Sequence, residues 1–159
     1  MGWPVVDCDH SGGIILGAVI GYRSPCRCKR CYEELDADTF LDADTHRALL
    51  SWANRHRRLL RLALDDDSVG AAARTALDHY ASSISVGARD LVARISSHRL
   101  CWYWLRGAVT PASPTCPWCG GALQADQVGP SDVWRCDACR IVTPPAISIE
   151  LRDGPARVR

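Results

Sequence analysis

The sequence predicts an α+β fold in which a central three-helix segment is flanked on each side by a cysteine-rich module of turns and short strands. Three observations carry this expectation. Eight of the nine cysteines fall into two groups near the ends of the chain, residues 8–31 and 116–139. The stretch between them repeats its apolar residues with helical period. Breaker-rich segments, Thr110-Pro-Ala-Ser-Pro114 and Pro144-Pro145, bracket the second group. The implied organisation is an N-terminal module over 1–34, a helical core over 35–107, a C-terminal module over 115–143 and a tail over 144–159.

Composition bounds the rest. The chain has 159 residues, 47% apolar and 23% charged, with a formal charge of +1. These are globular values, and they leave no global drive toward nucleic acid or membrane, so affinity for either needs a local patch. The only long apolar run, Gly12 to Gly21, is well short of the ~20 residues that span a bilayer. The start, Met1-Gly2-Trp3-Pro4-Val5-Val6-Asp7, lacks the basic region of a signal peptide. A cytoplasmic chain without membrane attachment is therefore expected. In a reducing compartment close cysteine pairs read as metal ligands rather than disulfides. Eighteen of the nineteen basic residues are Arg, the skew of a GC-rich genome.

In the N-terminal module, Gly13-Ile14-Ile15-Leu16-Gly17-Ala18-Val19-Ile20 precedes Arg23-Ser-Pro-Cys26-Arg-Cys28-Lys-Arg-Cys31. Residues 11–27 can form a hairpin between Cys8 and the knuckle Cys28-Lys-Arg-Cys31. The first helix is expected from about Asp44 to Leu64, with Leu49, Trp52, Ala53, His56, Leu60 and Ala63 on one stripe. Asp65-Asp66-Asp67 and Ser68 end it and cap a second helix over about Val69 to Tyr80. The third is expected from about Val86 to Arg106, with Leu91, Val92, Ile95, Trp102 and Leu105 inward, Cys101 a small buried hydrophobe, and Gly107 as its stop. A strand is expected over Ala146 to Leu151.

The most specific motif is Cys116-Pro-Trp-Cys119 with Cys136-Asp-Ala-Cys139. Zinc takes four ligands on a tetrahedron and thiolates suit it. Each C-x2-C turn aims two sulfurs at one spot, and the two turns need a hairpin between them to meet. The spacer supplies one: Gly120-Gly121, a strand-like Ala122-Leu123, a Gln/Asp/Gly/Pro turn, then Val133-Trp134-Arg135, with Ile141-Val142-Thr143 as a third strand. This segment, 116–139, resembles the zinc-ribbon superfamily, whose members recognise nucleic acid or protein more often than they catalyse. The longer stretch 45–143 is similar to small zinc-ribbon proteins of actinobacterial phages and their hosts, a likeness that implies a fold and a setting but no activity.

A second zinc is expected near the N-terminus, and two ligand sets compete for it. Cys8, Cys26, Cys28 and Cys31 form the preferred one. Cys8, His10, Cys28 and Cys31 form the other, with a C-x-H turn in place of the first knuckle. Both sites would be closed by protein ligands, which argues against zinc catalysis. No H-E-x-x-H, G-x-S-x-G or phosphate-binding glycine loop is present. The fold is thus expected to be helices between an N-terminal zinc knuckle and hairpin and a C-terminal zinc ribbon.

The expected function is non-enzymatic, a zinc-binding regulator that contacts nucleic acid or the transcription machinery. Its phosphate contacts would come from Arg27, Lys29 and Arg30 in the knuckle and Arg55 and Arg58 on the first helix. The alternative is a structural, oligomeric or protein-binding module, with Trp104 and Trp118 as contact residues. The two differ in whether those basic residues share one face or pair with neighbouring acids.

Overall fold

A computed structural model describes residues 7–17, 21–107 and 114–145. The strand expected over Ala146 to Leu151 lies outside them. Ile14–Leu16 (β1) and Cys26–Cys28 (β2) form an antiparallel hairpin in which Ile14 faces Cys28 and Leu16 faces Cys26. A 3₁₀ turn, Ala37–Thr39, leads into helix α1, Ala43–Leu62. Helices α2, Ser68–Asp78, and α3, Ser83–Ser96, follow. Each helix starts on a side-chain cap that accepts a backbone N–H otherwise left without a partner: Asp42 for α1, Asp67 for α2 and Ser82 for α3. The acidic run at 65–67 therefore works as the sequence suggests, with Asp67 accepting from the Gly70 amide at 2.8 Å.

The helix expected over Val86 to Arg106 is corrected. It ends at Ser96, and Cys101–Trp104 forms strand β3. Helical period and strand alternation both suit this apolar segment, and pairing partners decide between them. Strand β1 pairs parallel to β3 on one side. On the other side β3 pairs parallel to β6, Ile141–Thr143. With both edges hydrogen-bonded, Cys101 and Tyr103 alternate with Trp102 and Trp104 across the sheet.

Strand β4, Gln124–Val128, and β5, Ser131–Cys136, form the C-terminal hairpin. Its first strand begins after Ala122-Leu123, where Ala122 makes only an isolated bridge to Thr115. The whole sheet has the order β2-β1-β3-β6-β5-β4. Strands from all three regions of the chain thus belong to one sheet, with β3 as the seam between the two cysteine-rich ends.

Alternation gives the sheet two occupied faces. Ile14, Leu16, Cys101, Tyr103 and Ile141 pack with Leu49, Trp52, Ala88, Leu91 and Ile95 of the helices. Burying each leucine or isoleucine among them contributes about 1.5–3 kcal/mol. The Trp52 indole also donates to the Ile84 carbonyl at 2.8 Å, tying α1 to α3. On the opposite face Ile15, Trp102, Val128, Val133 and Val142 form a smaller cluster, with Tyr32 and Trp104 against it. The tip of the β4–β5 hairpin closes onto the N-terminal knuckle: the Gly129 amide donates to the Lys29 carbonyl at 2.8 Å. Gly129 has φ +53°, and a Cβ there would lie 2.9 Å from the Tyr32 Cβ, so the approach needs glycine.

Candidate metal centres

Three tight turns present the paired cysteines. In Cys116-Pro-Trp-Cys119 the Gly120 amide returns to the Cys116 carbonyl at 2.8 Å, with Gly120 at φ +69°. In Cys28-Lys-Arg-Cys31 the Tyr32 amide returns to the Cys28 carbonyl at 2.9 Å, with Tyr32 at φ +64°. In Cys136-Asp-Ala-Cys139 the Cys139 amide faces the Cys136 Sγ at 3.4 Å, and Arg140 follows at φ +54°. The residue after the second cysteine is left-handed each time. Glycine adopts that readily, whereas Tyr32 and Arg140 are held there against their preference, the kind of strain that persists where surrounding structure fixes it.

Two four-residue clusters result: Cys116, Cys119, Cys136 and Cys139, and Cys8, His10, Cys28 and Cys31. Within each, the ligand atoms lie within 4.8 Å of one another. The distances test the fit. A zinc–sulfur bond of about 2.3 Å implies sulfurs about 3.8 Å apart on a tetrahedral edge. Cys119 Sγ and Cys136 Sγ are 3.7 Å apart, as are Cys8 Sγ and Cys28 Sγ. Cys31 Sγ lies 3.4 Å from His10 Nδ1, as the shorter zinc–nitrogen bond requires. A disulfide would need about 2.05 Å. Both clusters are zinc-type donor sets.

The preferred N-terminal set is corrected on one residue. Cys26 is fully buried on β2, opposite Leu16, and is not among the converging side chains; His10 stands in its place. Strand geometry explains why. Residues two apart share a face but sit about 6.6 Å apart along it, so the metal that Cys28 reaches is beyond Cys26. Burial then pushes the Cys26 thiol up to about 12, which keeps it protonated. His10 is turned inward by φ +56°, and its Nε2 lies 3.7 Å from Glu33 Oε2, a carboxylate placed to orient the ring. Cys101, expected within a helix, is a buried strand residue whose thiol burial likewise keeps neutral.

Each cluster contains one thiol poised to ionise. Burial raises the Cys28 thiol, but the Cys31 and Arg30 amides and the His10 ring outweigh it and bring it to about 7. The Gly121 amide and the neighbouring thiols bring Cys119 to about 7. Burial raises Cys31, to about 11, and Cys136 and Cys139 as well. One thiolate can therefore form first near neutral pH, and the charge of an arriving metal favours loss of the remaining protons.

The expected basic patch divides. Arg27 is buried, its guanidinium between the Tyr22 and Tyr32 rings. Lys29 pairs with Asp126 at 2.9 Å. Neither faces solvent as a phosphate ligand would. Arg30, Arg55 and Arg58 are exposed. Trp104 lies half-buried beside Tyr32, and Trp118 packs edge-on to Tyr80 beneath the Arg89 guanidinium. Trp118 thus joins the first ribbon knuckle to the helices. The Lys29–Asp126 pair, 97 residues apart, had no sequence signal.

Comparisons with family models, curated proteins and solved structures find no match to this chain. The metal reading rests on ligand geometry. No helix among the described residues is long and apolar enough to cross a membrane.

Proposed function

We propose that this is a non-enzymatic protein with two structural zinc ions that binds nucleic acid, as a regulator associated with transcription. Zinc would be held by Cys116, Cys119, Cys136 and Cys139 at one site and by Cys8, His10, Cys28 and Cys31 at the other. Each set supplies four protein donors, which leaves no open position for a reactive water. A phage or host setting is what the wider resemblance over 45–143 adds.

The observation that carries the nucleic-acid part is helix α1. Arg55, Arg58 and Arg61 are exposed on it, with no ion pair among the described residues, while Arg47 is paired to Asp44 at 3.3 Å. Arg30 is the exposed knuckle arginine, also without an ion pair among the described residues. These contacts would position phosphates without reading bases. A second reading, a protein partner, is favoured by a groove of about 460 Å³ between α3 and the second ribbon knuckle, where Val86 and Ala93 meet Ala138 and Arg140.

Two measurements test the proposal. Metal analysis should give two zinc per chain. Binding to labelled single strands and duplexes should fall steeply with salt, and Arg55→Glu with Arg58→Glu should weaken it alike across unrelated sequences. Absence of binding at ~50 mM salt, where phosphate contacts are strong, would remove the nucleic-acid reading and leave the groove.

A further inference from the structure

On the outer face of the sheet, away from the helices, lies a cation the fold does not neutralise. Ile15 sits opposite both Arg27 and Trp102, which puts Arg27 on the face that carries Trp102 and Trp104. Arg27 is only 3% exposed. Its Nη1 donates to the Tyr32 carbonyl at 3.0 Å, whereas Nε and Nη2 have no acceptor. No carboxylate pairs with it among the described residues. Burying a charge this way is costly unless something compensates it, and an apolar side chain would fill the same strand position without that cost.

The surroundings indicate what compensates it. The guanidinium lies 3.8 Å from the centroid of the Tyr22 ring on one side and 4.8 Å from that of Tyr32 on the other. Tyr32 in turn meets Trp104, centroids 6.2 Å apart. The result is a ladder of rings interleaved with a cation. Its outer rung, Tyr22, is 47% exposed. The loop that carries it is pinned to α1, because Arg57 donates to the Tyr22 and Arg23 carbonyls at 3.1 and 2.7 Å. The loop that carries Tyr22 is thereby tied to the arginine-rich helix.

We propose that this ladder is a binding site for single-stranded nucleic acid. Bases stack on the exposed face of Tyr22 and on Trp104, while Arg27, enclosed between Tyr22 and Tyr32, touches no phosphate and adds positive potential beneath the rings. The inference rests on the nucleic-acid reading above and adds the site and the strandedness. A row of ring faces suits unpaired bases, whose π-faces are open, and not a duplex, whose faces are stacked on one another. Exposed rings above a buried positive charge suit a strand that offers bases and phosphates together. Arg27 acts through Tyr22 and Tyr32 and is a positioning residue.

The test uses the full zinc-loaded chain and a labelled oligodeoxythymidylate of roughly 15 nucleotides, compared with a duplex of equal length. The single strand should bind more tightly. Tyr22→Ala and Trp104→Ala should each lower its affinity roughly five- to a hundred-fold, the effect of losing one base–aromatic stack. Tyr22→Phe, which keeps the ring, should bind as the parent does. Zinc content and thermal midpoint report folding, and Tyr22, an exposed loop residue, keeps the test valid should Trp104→Ala unfold. Unchanged single-strand affinity in folded Tyr22→Ala overturns the site. If the Arg55→Glu/Arg58→Glu protein then loses binding, the α1 reading survives alone. Preference for duplex, or for an acidic peptide over the oligonucleotide, also overturns the site.

Discussion

Replacing His10 and Cys26 separately by Ala decides how the N-terminal metal is held. His10 Nδ1 is 3.4 Å from Cys31 Sγ, within the four-atom cluster, while Cys26 lies one strand repeat away in the core. Structural zinc sites contribute about 10–16 kcal/mol of apparent binding energy. Divided over four ligands this is roughly 3 kcal/mol each, so His10→Ala should weaken one of two zinc ions by about two to three orders of magnitude. Cys26→Ala should leave both ions in place and cost on the order of 1 kcal/mol of stability, for the sulfur removed from a packed core. Chelator competition, followed with a chromogenic zinc indicator, separates the outcomes because the ribbon site serves as an internal reference. Two zinc ions released together and late from His10→Ala, with one released early from Cys26→Ala, would refute the assignment and restore the all-cysteine set.

Two further perturbations probe the remainder of the fold. Cys136→Ser removes a ribbon ligand at the end of β5, and β5 pairs with β6, which pairs with β3. It should therefore lower the stability of the helices together with the ribbon in one cooperative transition, seen as coincident loss of helical circular dichroism and tryptophan fluorescence; helices that stay folded while the ribbon melts would contradict this. His56 is buried beside Trp52, and both ring nitrogens lack partners. Burial first, then the nearby Arg106 and Arg57 charges, lower its pKa to about 4 from 6.5. Because the unfolded chain binds this proton and the folded one does not, the contribution is whole above about pH 6.5 and is lost as pH falls toward 4. The parent should lose roughly 1 kcal/mol more than His56→Leu between about pH 7.5 and 5.5 in zinc-saturated denaturant melts, and equal losses would refute the buried neutral imidazole.

Much of this was legible along the chain because it depends on neighbours in sequence. The ribbon ligands follow from two C-x2-C spacings, the first two helices from a 3.6-residue period and from the acidic cap at 65–67, and the burial of His56 from its stripe. Each is set within a few residues, at the scale of a turn. The tertiary structure decided whatever needed two distant segments to meet. Residues 101–104 carry a pattern that suits a helix or a strand, and they become a strand because β1 and β6 offer hydrogen bonds on both sides. Spacing favours Cys26 over His10 as the fourth ligand, yet the rise of strand β2 carries Cys26 beyond reach while a left-handed turn brings His10 in. Arg27 and Lys29 look like a basic surface in the sequence, yet one is enclosed by Tyr22 and Tyr32 and the other is neutralised by Asp126. Local propensity has energies of tenths of a kcal/mol per residue, whereas pairing, burial and metal ligation each act at about 1 kcal/mol or more. Where the two conflict, long-range contacts prevail, and those contacts exist only once the chain has folded.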